Sequence, residues 1–188
     1  MKERANIKET SIQGLLLIER PTFSDERGFF HEVVRLNELL EASGVDFKPV
    51  QISHAMSLPK VIRGIHTEGW NKIIYPVTGK MFSAIVDVRP ESPTFGKYES
   101  FIFDNTNLDS PHAALFLPKG MGNSICVIGN EPVHYIYAVD EYWDNSKARG
   151  IAWNDPDINI VWPVKNPILS ERDRQNSRLR DLYPEKFK

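Results

Sequence analysis

Five histidines are the residues of this sequence best suited to acid–base chemistry near neutral pH, and they stand at positions 31, 54, 66, 112 and 134. A metal centre in a β-barrel needs two histidines and a carboxylate from neighbouring strands, and an His-x-His pair usually marks one. The sequence contains no such pair, because His66 is followed by Thr67 and Glu68. The spacing therefore favours a site without a metal. The metal-dependent alternative would draw its ligands from a scattered set, namely His54, His66, Glu68 and His112.

The apolar run that ends at His66 is interrupted by Arg63 and Gly64. Its ordinary interpretation is a strand with an exposed arginine and a hydrogen-bonded core histidine, and the spacing alone favours that interpretation. Arg63 and His66 are three residues apart, so a regular strand would point them to opposite faces. A bulge at Gly64 would remove this constraint and let both side chains approach one ligand. The spacing leaves both interpretations open.

Other positions could also carry chemistry, although each has an ordinary structural explanation. Residues 25–30 are either a plain turn before an aromatic strand or a cation beside a stacking surface for a nucleotide base. Lys72 is most simply a solvated lysine, and Tyr137 lies in an alternating aromatic run that is typical of core packing. Asp173 follows Ser170 by three residues. This spacing is typical of a helix that begins with a serine N-cap and has a carboxylate in its first turn.

The elements that must position these residues are mostly β-strands. Short β-prone runs recur about every ten residues, the spacing expected of sandwiches and barrels. In the longest run, 81–89, apolar and polar residues alternate with the period of a half-buried strand. A turn is predicted at 78–80, and Pro76 predicts an edge, an end or a bulge because it has no N–H to donate. The remaining strand predictions cover 15–18, 29–34, 73–77, 98–103, 113–117, 124–128 and 133–139.

Helical signals are few and short. Three leucines share one face of a segment that ends near Gly44, and the charged tail from Ser170 to Leu182 begins like a capped helix. A chain of 188 residues, 41% of them apolar, is long enough for one domain with a sizeable core. The sequence therefore predicts a single all-β domain over residues 1–188, barrel-like or jelly-roll, with a few short helices.

The charge balance and the cysteine count narrow the possible partners and compartments. Lys and Arg together number 23 against 25 for Asp and Glu, so no global field favours nucleic acid or an anionic membrane. The longest early apolar run, 15–18, is too short to span a bilayer. The single cysteine, Cys126, cannot form an internal disulfide, which suits a reducing compartment. A soluble cytoplasmic protein without a nucleic-acid or membrane partner is expected.

Taken in order, five segments of the sequence resemble the dTDP-4-dehydrorhamnose 3,5-epimerase family. They read DERGFF at 25–30, VIRGIH at 61–66, VDVRPESPTFG at 86–96, WNDPDINIVWP at 153–163 and ILSERD at 168–173. The resemblance extends from about Ile12 to Asp173, and both the order and the intervals agree with the family. It implies a metal-free, cofactor-free, cupin-type jelly-roll β-barrel that forms a homodimer.

The resemblance implies an epimerase of a nucleotide-diphosphate 4-keto-6-deoxy sugar. Such an enzyme inverts C3, C5 or both beside the keto group, in deoxysugar biosynthesis for surface polysaccharide or glycosylated metabolites. His66 matches the base that removes a carbon-bound proton, and Asp173 matches its carboxylate partner. Lys72 matches a cation beside the keto oxygen, and Tyr137 matches the acid that returns a proton from the opposite face.

The resemblance also implies which residues bind the substrate. Arg63 matches an arginine that contacts the diphosphate, and the segment that meets the nucleotide contributes Arg27, Phe30 and Glu32. Gln51 matches another residue of the pocket. The resemblance also implies that the segment from Arg27 to Glu32 lies near a neighbouring subunit of the dimer.

The sequence departs from the family pattern inside the expected pocket. Thr67 and Glu68 replace an aromatic residue and a glutamine after the base, and the loop from His66 to Lys72 is shorter than usual. Asn123 replaces a pocket histidine, and an amide can hydrogen-bond a sugar but cannot titrate. Because of these changes, a GDP- or CDP-linked 4-keto sugar such as a heptose is kept as an alternative substrate.

The sequence leaves open two alternatives from other functional classes. One is a metal-dependent cupin enzyme, such as a dioxygenase or a sugar isomerase, with the scattered ligands given above. The other is a sugar-nucleotide binding module that has lost catalysis, which the altered residue Asn123 motivates.

Overall fold

The computed structural model describes residues 4–107 and 111–187, and β-strands dominate its secondary structure. The strands are β1 Asn6–Glu9, β2 Leu16–Glu19, β3 Thr22–Asp25, β4 Gly28–His31, β5 Gln51–Ser57, β6 Ile62–Thr67, β7 Lys72–Asp87, β8 Tyr98–Asn105, β9 Ala113–Leu117, β10 Met121–Val127, β11 Val133–Val139 and β12 Arg149–Gly150. The helices are α1 Leu36–Ser43, α2 Glu171–Arg174 and α3 Leu179–Leu182, and a 3₁₀ turn follows at Pro184–Phe187. The prediction of an all-β fold with a few short helices is confirmed.

Strand β7 organises the sheet because it has 16 residues and pairs with four other strands. Its first part pairs with β9 and β11, which continue outward to β2, β1 and β5. Its second part pairs with β8 and β10, and β10 continues to β6 and β12. All these pairings are antiparallel. The chain therefore forms two groups of strands that are joined through β7.

The largest apolar cluster packs side chains from both parts of β7 together. Ile74, Met81 and Ile85 of β7 contact the cluster that contains Leu115 of β9 and Ile125 of β10. Each of these side chains is fully buried, and such burial contributes about 1.5–3 kcal/mol per side chain. This cluster fixes the strands that carry the site described below.

The turn predicted at 78–80 is wrong, because β7 is continuous through these positions. Gly79 has a φ of 85°, and a Cβ there would lie 2.7 Å from the carbonyl oxygen of Pro132. Glycine therefore allows the strand to pass close to its neighbour and bend instead of reversing. Pro76 lies at a register shift between β7 and β11, which confirms the bulge among its three predicted settings.

Strand β5 was not predicted from the sequence, since its apolar side chains face away from the core. Ile52 and Met56 lie on the outer face, and Ile52 is 71% exposed. The positions that alternate with them are less exposed and include the polar residues Gln51 and Ser53. The inner face therefore lacks the apolar pattern from which a strand is predicted. The result is an exposed apolar strip on the outside of the sheet.

The short helices agree with their predicted ends. Helix α1 ends at Gly44, which adopts a φ of 70° as a C-terminal glycine commonly does. Helix α2 begins after Ser170, whose Oγ accepts a hydrogen bond from the backbone N–H of Asp173 at 3.1 Å. The predicted N-cap is therefore confirmed. No helix in the described ranges combines the length and apolar character needed to cross a membrane.

Candidate active site

The centre of the site is a hydrogen bond between two residues that are 107 positions apart. His66 Nε2 lies 2.7 Å from Asp173 Oδ1. Asp173 reaches this position because Ser170 caps α2, and because the chain just before the cap pairs with β6 through the Ile62 N–H and the Ile168 carbonyl. The Asp173 side chain is 3% exposed, whereas His66 is partly open to a cavity. The structure thus brings the predicted base and its predicted partner together.

Asp173 is held as a carboxylate in this position. Burial alone would raise its pKa, but the hydrogen bond and charge interaction with His66, together with the Ser170 contact, bring the pKa below its usual value. A carboxylate at Nε2 favours the tautomer that carries the proton on Nε2, which leaves Nδ1 with a free lone pair. It also stabilises the imidazolium that forms once His66 accepts a proton.

A β-bulge places Arg63 and His66 in one cavity. The pairing of β6 with β10 contains one extra residue of β6 between these two positions. Gly64 in the bulge has a φ of 130°, and a Cβ there would lie 2.5 Å from the Ser124 Cβ. The side chains of Arg63, His66 and Asp173 line a cavity of about 400 Å³. The bulge interpretation of this run is therefore confirmed over the regular strand.

Two arginines border this cavity. Arg63 donates from Nε to Ser57 Oγ at 2.8 Å and from a terminal nitrogen to the Met56 carbonyl, so neither partner neutralises its charge. Arg172 lines the same cavity and makes no ion pair or hydrogen bond through its side chain with any residue in 4–107 or 111–187. Sequence reasoning missed Arg172, although its place directly before Asp173 in the first turn of α2 was a usable signal.

Tyr137 and His66 line a second cavity of about 150 Å³. Tyr137 lies on β11, between β5 and β7, and it is half-buried rather than sealed in the core. Gln51 also lines this cavity, and its Oε1 accepts a hydrogen bond from the Trp143 backbone N–H at 3.0 Å. The complete lining is Gln51, His66, Glu68, Trp70, Tyr137, Val139, Trp143 and Arg172.

Lys72 lies beside this cavity and is buried rather than solvated. Its Nζ lies 5.2 Å from the centroid of the Tyr137 ring, and it forms an ion pair with Glu68. Asn123 pairs with His66 across β6 and β10, and it lines a small recess together with Lys72 and Glu68. The structure therefore places all four predicted catalytic residues, and also Gln51, Arg63 and Asn123, around neighbouring cavities.

The other three predicted binding residues do not reach these cavities within the chain. Strands β3 and β4 form a separate two-stranded hairpin that carries Arg27 and Phe30. The Arg27 guanidinium bonds to Asp25 at 2.5 Å, and Phe30 is 64% exposed. Glu32 follows the hairpin and is bound by Arg20 and Arg35, each at 2.7 Å. Within one chain these three residues line none of the cavities around His66 and Lys72, and their contact with the nucleotide stays a prediction.

The ligands of the metal-dependent alternative do not converge. His54 hydrogen-bonds His134 at 3.0 Å between β5 and β11. His112 instead packs against Phe29 and His31 of the hairpin. The described part of the chain contains no group of three or more histidine, cysteine or acidic side chains placed to hold a metal ion.

An antiparallel β-fold with a histidine–carboxylate pair, a tyrosine in the same cavity and adjacent cations defines an enzyme that transfers protons. Comparison with known proteins gives the particular family. The sequence model of the family described as dTDP-4-dehydrorhamnose 3,5-epimerase matches residues 9–181. The chain belongs to this family.

Individual relatives agree over nearly the whole length. The chain is 35% identical over 181 residues to a dTDP-4-dehydrorhamnose 3,5-epimerase of Shigella flexneri, covering 94% of this chain and 97% of the relative. A 4-keto-6-deoxy sugar epimerase from the novobiocin gene cluster of Streptomyces spheroides has a similar structure, with a TM-score of 0.91 and 28% identity over 98% and 92% of the two chains. The Bacillus anthracis 3,5-epimerase, solved with TDP and PPi bound, is 33% identical with a TM-score of 0.83 over 93% and 99%. The predictions of the family, of a cupin-type jelly-roll barrel and of an epimerase are confirmed.

Proposed function

We propose that this protein inverts C3, C5 or both beside the keto group of a nucleotide-diphosphate 4-keto-6-deoxy sugar, as a single cupin-type domain over residues 1–188. The observation that carries the proposal is the bond between His66 and the buried Asp173, in reach of the cavity that Tyr137 lines. Relatives named for this reaction on dTDP-linked sugars make dTDP the first nucleotide to test. The product would serve deoxysugar biosynthesis for surface polysaccharide or glycosylated metabolites.

The cavity that His66 and Tyr137 share supports proton transfer by both residues at one sugar carbon. His66 removes the proton from the carbon beside the ketone, and the electron pair of that C–H bond moves to the keto oxygen to give an enolate. Lys72 donates to the enolate oxygen, where a positive charge lowers the barrier most in a buried site. Tyr137 then protonates the carbon from the opposite side, and exchange of both groups with water resets the enzyme.

Binding of the diphosphate is assigned to Arg63 and Arg172. Both border the cavity beside His66, and neither is neutralised by a carboxylate among the residues that the structure describes. Guanidinium groups form paired, charge-assisted hydrogen bonds to phosphate. A local pair of this kind suffices even though the formal net charge of the chain is −2.

The nucleotide would be met by the hairpin of a second copy of the chain. The hairpin exposes Arg27 together with Phe23, Phe29 and Phe30, which line a cavity of about 530 Å³. Large exposed apolar patches mark interaction surfaces, and β5 adds the outer residues Ile52 and Met56. We therefore propose a homodimer in which Arg27 and Phe30 of one protomer contact the nucleotide bound by the other, while Glu32 holds the base of the hairpin. A cytoplasmic location is proposed with it, since buried Cys126 forms no disulfide.

A substrate with another nucleotide or a heptose is the second candidate. Glu68 and Asn123 line the recess beside Lys72, where the family has a glutamine and a histidine. They change the hydrogen-bonding character of the pocket wall without removing His66, Tyr137 or Asp173.

Isotope exchange in heavy water tests the proposed reaction. Incubation with the dTDP-linked 4-keto-6-deoxyglucose, and in parallel with GDP- and CDP-linked 4-keto sugars, should incorporate deuterium at C3, C5 or both. NMR of the product then separates single from double inversion. Exchange with none of the sugars refutes the proposal, and tight binding without exchange identifies a non-catalytic binding module instead.

A further inference from the structure

A small recess opens beside the catalytic cavity, and its walls carry more polar groups than one ion pair needs. Four polar side chains, Glu68, Trp70, Lys72 and Asn123, form what we call the polar recess, and Leu117, Pro118 and Met121 complete its lining. Its volume is about 10 Å³, which is space for one small group such as a hydroxyl. Glu68 and Trp70 also line the cavity of His66 and Tyr137, so the recess adjoins the place where the sugar reacts.

Two of the residues that line the recess each carry a buried polar atom without a partner among the described residues. Trp70 is 4% exposed, and its Nε1 has no hydrogen-bond partner in the described ranges. The Asn123 Oδ1 is likewise buried and unpaired among these residues. Buried polar groups nearly always find a partner in folded proteins, so unpaired ones beside a catalytic cavity indicate the place of a polar ligand group.

Glu68 adds an acceptor with spare capacity. Its Oε2 binds Lys72, and both side chains are largely buried, whereas Oε1 makes no hydrogen bond with the part of the chain that the structure describes. A carboxylate oxygen accepts strong hydrogen bonds, and the indole N–H of Trp70 can only donate. The recess therefore offers one charged acceptor and one neutral donor to the same small group.

We propose that the polar recess is a subsite for the C3 hydroxyl of the sugar, which donates to Glu68 Oε1 and accepts from Trp70 Nε1. This assignment rests on the proposed function, in which Lys72 faces the oxygen at C4. The neighbours of C4 in a 4-keto-6-deoxy sugar are C3, which carries a hydroxyl, and C5, which carries a methyl group. Only the hydroxyl both donates and accepts, so only C3 satisfies the recess.

The test compares two unreactive ligands that differ only at C3, dTDP-6-deoxyglucose and its 3-deoxy analogue, or the same pair on whichever nucleotide supports exchange. Calorimetry of the wild-type protein should show the 3-hydroxy ligand binding about 10- to 100-fold more tightly, as expected for a hydrogen bond to a charged acceptor. In Glu68→Ala this preference should fall below about threefold, and in Glu68→Gln it should be intermediate. Movement of Lys72 would weaken both ligands alike, so the ratio isolates the hydroxyl.

Glu91→Gln is the matched control, because this change also removes one carboxylate, and Glu91 is almost fully exposed and does not line the recess. It should keep the wild-type preference. An unchanged preference in folded Glu68→Ala overturns the subsite while leaving the epimerase assignment intact. Failure of the wild-type protein both to bind either ligand and to exchange any sugar overturns the proposed function and the subsite together.

Discussion

The residues inside the barrel and the residues on the β3–β4 hairpin differ in how the fold holds them. His66 and Asp173 are fixed by a strand ladder, a capped helix and a 2.7 Å hydrogen bond in a largely buried place. Arg27 and Phe30 stand on a two-stranded hairpin that forms no ladder with the main sheet. The barrel therefore presents a histidine–carboxylate pair that is already assembled, whereas the hairpin presents an arginine and aromatic rings that are exposed.

The difference shows how two tasks are divided in one small protein. Proton transfer to carbon requires groups aligned within hydrogen-bond distances, and only the packed interior provides such rigidity. Recognition of a base tolerates a looser element, because an aromatic ring and an arginine bind through wide contact surfaces. Substitutions in the barrel and in the hairpin should therefore differ in the kind and size of their effects.

Removal of the base should have the largest effect. His66→Ala should slow deuterium exchange by about 10²- to 10⁴-fold, since it removes the group that accepts the carbon-bound proton. Asp173→Asn should fall between this variant and wild type, because the amide keeps the shape but not the charge. Exchange rates by NMR and folding by circular dichroism provide the measurements. A loss of only about tenfold in His66→Ala would show that another residue is the base.

Removal of the cavity arginines should affect binding more than chemistry. Arg63→Ala and Arg172→Ala should each weaken binding of a nucleoside diphosphate by about 10- to 100-fold, since each loses a charge-assisted hydrogen bond. Calorimetry measures the affinity. Arg174→Ala is the control, because Arg174 belongs to the same helix but donates to the Leu169 carbonyl and does not line the cavity. If Arg172→Ala binds as Arg174→Ala does, Arg172 has no role at the diphosphate.

Removal of the hairpin arginine should have a smaller effect, and it should act across the dimer. Arg27→Ala should raise the KM about three- to tenfold, the size expected for an exposed contact to a ligand. If it is mixed with His66→Ala, the proposed homodimer predicts heterodimers in which one site has both His66 and a partner hairpin with Arg27. Some sites should then regain the wild-type KM. If the mixed variants show no site with the wild-type KM, Arg27 does not act on the site of the other protomer. It then acts in the site of its own protomer, or it does not act in a site at all.

Acid should loosen the hairpin before it affects the barrel core. His112 stacks on Phe29 at 4.5 Å and lies 5.3 Å from His31, and burial lowers the pKa of both histidines. Because the packed pKa lies below the unfolded value, this packing is fully stabilising above about pH 6.5 and weakens as pH falls through the lowered pKa. The protection factors of the β3 and β4 amides, which correct for the pH dependence of intrinsic exchange, should therefore fall modestly between pH 7.5 and pH 5.

His112→Phe supplies the control for the acid response. The ring stack with Phe29 is kept in this variant, but one titrating group is lost. Its hairpin amides should respond less to acid than those of the wild type. The same response in both proteins would show that His112 does not govern the docking of the hairpin.

The strands predicted most accurately are those whose apolar residues are the ones that the fold buries. Strands β9 and β11 have the predicted bounds, because both are apolar runs between turn residues. Strand β5 escaped prediction because its apolar residues Ile52 and Met56 face outward, and the turn at 78–80 was wrong because one glycine permits a bend as well as a reversal. The local sequence shows how apolar and polar residues alternate, but it does not show which face of a strand packs against the core.

The candidate site shows the same limit. The motifs that resemble the family named His66, Asp173, Tyr137 and Lys72, while single spacings left each with an ordinary explanation. Arg172 was missed, because its place directly before Asp173 does not by itself indicate that its side chain borders a cavity.

By itself, the sequence determined the all-β fold, the family and the chemical types of the groups in the site, since strand periods and motif residues are local properties. Only the tertiary structure decided which of those groups meet. The hydrogen bond from His66 to Asp173 joins residues that are 107 positions apart in the sequence. The bulge that directs the side chains of Arg63 and His66 to one cavity depends on Gly64, which lies against Ser124 of the neighbouring strand. Such contacts follow from how the strands close on one another, which no single stretch of sequence contains.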